Sequence, residues 1–193
     1  SVRTGIDIEI IDGQTEAHYL FQNRHEIMTA GKKAVMFIDV GGGSTEITFF
    51  SKGRVVASRS FNIGTIRLLN DRVKDKEWTD MQKWVERSAA PYPGVEAIGS
   101  GGNINKLFKM AKGKPGKPAV IDKLETVSAK LAGLSFEQRL KTFNLKPDRA
   151  DVIVPGARLY LSSMTWAGCR KIHVPMKGLA DGMVRVLHAR NSP

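Results

Sequence analysis

The chain has 193 residues, enough for one sizeable core, and its 41% hydrophobic content is that of an ordinary globular protein. A single Cys169 excludes an internal disulfide framework and fits a reducing compartment, so the cytoplasm is the expected location. The net charge of +11 favours polyanionic partners such as nucleic acid, anionic lipid or polyphosphate, and no apolar run reaches the roughly 20 residues a membrane helix needs.

Ser1-Val2-Arg3-Thr4-Gly5 lacks the charged-then-apolar pattern of a secretory signal and reads as a cut inside a longer protein. Ile6 to Ile11 alternates apolar and acidic residues as a half-exposed strand does, and Asp12-Gly13 turns the chain. Ala17, Leu20 and Phe21 then have helical spacing, with Glu16 at the helix start. A glutamate there commonly serves only as a charge–dipole partner.

Val35 to Ile38 is a short, partly β-branched run that reads as a buried strand. It stops at Asp39, and Gly41-Gly42-Gly43, Ser44, Thr45 and Glu46 follow. Glycines let backbone N–H groups approach an anion closely, because no Cβ intervenes. Ser44 and Thr45 can add hydroxyl donors, and Asp39 and Glu46 suit a hydrated divalent cation. A tight turn between two strands explains the glycines equally well, but needs neither acid.

Ile47 to Phe50 and Val55 to Ser58, around Ser51-Lys52-Gly53, read as a hairpin. Thr65 to Leu69 begins a helix, and Asp75 to Ser88 is an amphipathic helix whose Trp78, Met81, Trp84 and Val85 belong to the core. After Pro91 to Gly94, Val95 to Ile98 is a short strand, followed by Gly99-Ser100-Gly101-Gly102 and a helix from Asn103 to Met110. This is a second strand–glycine–helix passage, with a helix N-terminus able to face an anion. Lys112 to Pro118 is a basic loop. Asp122 starts a helix, Ser135 caps another, and Asp148 is the expected cap of a longer one that Pro155 should kink or shift. Lys171 to Val174 is a last strand, and Leu179 to Leu187 a closing helix. His18, His25, His173 and His188 are too scattered for a zinc site, and Cys169 reads as a buried or half-buried thiol.

Taken together, these motifs resemble the exopolyphosphatase and guanosine pentaphosphate phosphatase family. Asp39-Val40-Gly41-Gly42-Gly43-Ser44-Thr45-Glu46 resembles its signature, and Thr4 to Gly13 leading to Glu16-Ala17 resembles the segment upstream. Ile98 to Asn103 resembles its second glycine loop, Arg149 to Ala157 its late helix, and Gly178 to Gly182 its closing turn. The resemblance implies an α/β, actin-like (ribonuclease-H-like) fold with a mixed five-stranded sheet flanked by helices. It also implies Mg²⁺-dependent hydrolysis of terminal phosphoanhydrides in polyphosphate or pppGpp. By position, Glu16 is the catalytic glutamate, and Asp39 and Glu46 hold the metal. Gly41, Gly42, Gly43, Ser44 and Thr45 bind phosphate on one wall, and Gly101 and Gly102 on the other. Gln14-Thr15 stand where the family has acidic residues.

The family's first domain, with its own glycine loop, should precede Ser1. Residues 1–30 are then a strand and helix at the interdomain junction. Residues 31–193 are the C-terminal actin-like domain of a two-domain protein, of low activity alone and able to form a homodimer. Rival readings are a non-catalytic polyphosphate or nucleotide-binding module and another actin-like ATPase or kinase domain. A nucleic-acid binder rests on charge alone and ranks last.

Overall fold

The computed structural model describes residues 34–176 and, near the C-terminus, 183, 184, 186–188 and 191. The strand and helix expected over 6–23, with Glu16, lie outside the described residues, as does the closing turn at Gly178 to Gly182. Of the expected closing helix, residues 183, 184, 186 and 187 are helical. Among the described residues, no helix is long and apolar enough to cross a membrane.

Strand β1 (Val35–Val40) runs antiparallel to β2 (Thr45–Ser51), which pairs with β3 (Arg54–Phe61). The hairpin between β2 and β3 turns on Lys52 and Gly53, at φ 50° and 79°, the paired positive values a tight two-residue connection requires. Helix α1 (Thr65–Leu69) and helix α2 (Asp75–Ala89) follow, then strand β4 (Glu96–Ser100). Strand β4 lies parallel to β1 on the side away from β2. Helix α3 (Gly102–Met110) leads to the two-residue strand β5 (Ala119–Val120) and helix α4 (Ile121–Ala132). Helix α5 (Phe136–Phe143), helix α6 (Pro147–Trp166) and strand β6 (Lys171–His173) complete the described domain.

The sheet order is β3-β2-β1-β4-β6-β5. It is mixed, since β1, β4 and β6 are parallel and the outer pairings antiparallel. Six strands stand among the described residues where five were expected. The addition is β5, too short to leave a periodic signal and made a strand by pairing with β6.

Local chemistry explains most helix ends. In α2, Glu77 Oε2 accepts from the Lys74 N–H at 2.9 Å, and Met81, Trp84, Val85 and Ala89 form its buried stripe. Ser135 and Gln138 exchange a capping box at the start of α5. The start of α6 differs from expectation. Its cap is Lys146, with Pro147 in the first helical position, and Asp148 sits inside the first turn. Proline's fixed φ and missing N–H suit that position, which moves the boundary two residues upstream. The helix continues through Pro155 to Trp166 and ends on Gly168 at φ 66°, with the Cys169 N–H donating to the Met164 carbonyl at 2.8 Å.

Helix α6 is the centre of the helical layer, touching α1 to α5 and β1. Met36, Ile38, Ile47 and Phe49 from the sheet meet Met81, Ile104, Leu107, Leu124, Ile153 and Leu159 in one core. Each such side chain, fully buried, contributes about 1.5–3 kcal/mol. Trp84 packs edge-on against Phe61 at 5.4 Å and Trp78 against Trp166 at 5.4 Å, so these tryptophans are core residues as read from their spacing. Cys169 is buried, and burial, with Glu96 adding to it, pushes its thiol up to about 12.

Candidate functional site

Strands β1 and β4 are adjacent and parallel, so their C-terminal ends open at the same edge of the sheet. Each runs into glycines there. At the end of β1 the loop is closed by the Gly41 N–H donating to the Ser44 carbonyl at 2.9 Å. Its carbonyls turn inward: Gly41 accepts from the Thr65 N–H at 3.0 Å and Gly42 from the Ile66 N–H at 2.9 Å. Helix α1 is therefore capped by the loop and holds it down. A Cβ on Gly64 would sit 2.4 Å from the Gly42 carbonyl oxygen, so only glycine allows this approach. The consequence is outward-facing chemistry. Gly41, Gly42 and Gly43 are exposed, and the Gly42 and Gly43 N–H groups donate to no backbone carbonyl among the described residues.

The two acids that bracket the loop come together. Asp39 on β1 and Glu46 on β2 are direct cross-strand partners, so both carboxylates project from one face. The row extends to Ser60 on β3 and Ser100 on β4, and the Ser60 hydroxyl donates to Glu46 Oε1 at 2.9 Å. Two like charges directly opposite repel, which a bound cation would reverse.

Thr45 takes a different place from the one its sequence neighbours suggest. It is fully buried, and its hydroxyl donates to the Ile63 carbonyl at 2.6 Å. The expected phosphate donor is thus a tie between β2 and the segment before α1. Ser44 is half-buried at the loop's edge.

The second loop meets the first through Gly101, which caps α3 at φ 110° and ψ 163°, a region side chains rarely enter. A Cβ there would lie 3.4 Å from both Asp39 Oδ1 and the Tyr160 hydroxyl oxygen. On Gly102 a Cβ would meet Arg149 Nη2 at 2.6 Å, so the guanidinium of α6 lies flat against that glycine. Arg149 Nη1 donates to Asn103 Oδ1 at 2.7 Å. Beyond the loop, a groove of about 420 Å³ runs between α3 and the start of α6, with Lys106, Lys109, Lys146 and Arg149 against Asp148.

The Tyr160 hydroxyl is buried at this junction and donates to the Ser100 carbonyl. Burial raises its pKa well above the usual tyrosine value, Asp39 and Glu46 add to that, and a Val40 backbone hydrogen bond and Arg149 act in the opposite sense. It stays a neutral donor.

The structure therefore brings together Asp39, Glu46, Gly41 to Ser44, Gly101 and Gly102. Glu16 lies outside the described residues. Arg149, Asn103 and Tyr160 were not singled out for chemistry. Arg149 and Asn103 stand inside motifs that were noticed, whereas Tyr160 has no local signal.

The model of the "Ppx/GppA phosphatase family" matches residues 1–189. An "Exopolyphosphatase 2" of Mycobacterium tuberculosis is 30% identical over 174 residues, covering 79% of this chain and 54% of that protein. A "Guanosine-5'-triphosphate,3'-diphosphate pyrophosphatase" of Aeromonas hydrophila is 22% identical over 198 residues, covering 95% of this chain and 40% of that protein. The chain thus spans about half the length of the curated relatives it matches. Among solved structures, the Aquifex aeolicus Ppx/GppA family member superposes with a TM-score of 0.76 at 22% identity, over 100% of this chain and 68% of that one. An exopolyphosphatase from Cytophaga hutchinsonii gives 0.79 at 20% identity, over 99% and 68%. The fold is the actin-like α/β fold of these structures.

Proposed function

The chain belongs to the Ppx/GppA phosphatase family, and from that premise we propose that it forms one wall of a cleft that hydrolyses the terminal phosphoanhydride of inorganic polyphosphate or pppGpp. The observation that carries this reading is the convergence of two glycine loops at the ends of β1 and β4, with Asp39 lying against Gly101. Ligands of α/β sheets bind at such strand ends.

In this mechanism the Gly42 and Gly43 N–H groups and the Ser44 hydroxyl bind the terminal phosphate and stabilise charge as it develops. Gly101 and Gly102, with Arg149 beside them, bind the next phosphate. Glu16 takes a proton from the water that attacks phosphorus, and the shortened chain leaves with the electron pair of the broken P–O bond. The role of Glu16 is supported by its place in the family's motif.

Asp39 and Glu46 fit a hard divalent cation, since both offer carboxylate oxygens on one face. Mg²⁺ keeps several waters and takes few carboxylates, so two are enough to anchor it. When bound there, Mg²⁺ would supply charge withdrawal from the phosphoryl oxygens.

A second reading, a binding module without hydrolysis, is favoured by the four cations of the groove, which hold a polyanion without any base. Phosphate release by the full-length protein, measured separately with polyphosphate and with pppGpp, tests the proposal. Release from at least one is expected. Binding with no release from either would leave the binding module.

A further inference from the structure

Helix α6 meets the second glycine loop at three positions on one face: 149, 156 and 160, about two turns and then about one turn apart. Arg149 holds Asn103, and Gly156 lets the helix approach so closely that a Cβ would lie 2.9 Å from the Asn103 side chain. Tyr160 supplies the third contact, its hydroxyl donating to the Ser100 carbonyl. Tyr160 is fully buried, so a phenylalanine would fill the same space, and the only difference would be the hydroxyl. That hydroxyl also stands at the end of β1. It abuts Gly101 together with Asp39 Oδ1, each 3.4 Å from the point a β-carbon on that glycine would occupy.

We propose that Tyr160 is a positioning residue, whose hydroxyl fixes the spacing between the β1 glycine loop and the β4 glycine loop so that both can hold one phosphate chain. Such a role stands on the hydrolysis proposed above, because it acts through the loops and touches no substrate. The phenol does this as a buried strut: Ser100 is only 5% exposed, its carbonyl accepts from Tyr160, and loss of that bond frees the loop to move away from Asp39. A displacement of the loop acts on the geometry of the reacting groups more than on substrate capture.

The test uses the full-length protein, its Tyr160→Phe variant and Ser163→Ala. Ser163 is also buried on α6, but among the described residues its hydroxyl bonds the Leu159 carbonyl of its own helix, at 2.8 Å, and not the glycine loops. Tyr160→Phe should lower kcat about 10-fold while KM changes less than about twofold, at a temperature well below both melting points. Amide exchange at Gly101 and Gly102 should quicken in that variant and stay unchanged in Ser163→Ala. Wild-type kcat or wild-type exchange in Tyr160→Phe overturns the positioning role, as does an equal loss in Ser163→Ala. A wild type that binds polyphosphate without releasing phosphate would instead defeat the hydrolysis, and the exchange comparison alone would then decide whether the hydroxyl fixes the loop.

Discussion

The Asp39 carboxylate lies against Gly101, its Oδ1 3.4 Å from the point a β-carbon on that glycine would occupy. This contact joins the two glycine loops of the proposed site, and it exists because Gly101 holds φ 110°. Gly101→Ala introduces strain of about 1–3 kcal/mol at that backbone position. The displaced loop should cost about 100-fold in phosphate release with little change in circular dichroism. Near-normal turnover in a folded Gly101→Ala protein would remove the second loop from the site.

The cross-strand pair of Asp39 and Glu46 makes a prediction of opposite sign with and without metal. In a chelator, Glu46→Gln relieves like-charge repulsion and should raise Tm by about 1 °C. In activity titrations the same variant should need at least about 10-fold more Mg²⁺ for half-maximal rate, the loss that even an outer-shell partner produces. Calorimetric Mg²⁺ titration checks the binding directly. Unchanged Mg²⁺ dependence would take Glu46 out of the metal site.

Thr45 separates structural from chemical duty. With its hydroxyl donated to Ile63, Thr45→Val leaves a buried carbonyl unpaired at a cost of about 1–3 kcal/mol. Thermal unfolding should show a lower Tm, while kcat at low temperature stays within about twofold, because transition-state contacts are untouched. A selective fall in kcat would restore Thr45 to the phosphate site.

Much of this was legible in the sequence, for reasons that differ by element. Asp39 to Glu46 announces itself because a strand, glycines and two acids fall in one short window, and the antiparallel register then sets the acids opposite one another. The Lys52-Gly53 turn and the Ser135 cap are equally local. Thr45 misled because adjacent hydroxyls look alike in sequence, whereas strand alternation sends one to the rim and the next into the core. Arg149 and Tyr160 reach Asn103 and Ser100 across 46 and 60 positions, distances that no periodicity encodes. The start of α6 was displaced by Pro147, whose fitness for a first turn outweighed the capping preference of Asp148.

Alkaline pH should destabilise the fold. Cys169 is raised from the usual 9.0 to about 12, and Tyr160 is raised too. For both groups the folded state holds its proton more tightly than the unfolded chain. Their stabilising effect is therefore complete below about pH 9 and lost as pH rises toward about 12. Tm measured across that window should fall, and Cys169→Ala should flatten part of the slope. A Tm independent of pH over that range would contradict the burial of both groups.

The most direct measurement is phosphate release from polyphosphate by the full-length protein beside its Glu16→Gln variant, with polyphosphate binding measured on both. Removal of a general base should lower the rate about 10²–10⁴-fold, with binding retained through the glycine loops. Equal rates in the two proteins, or tight binding without release from either, would contradict a hydrolytic cleft built from these loops.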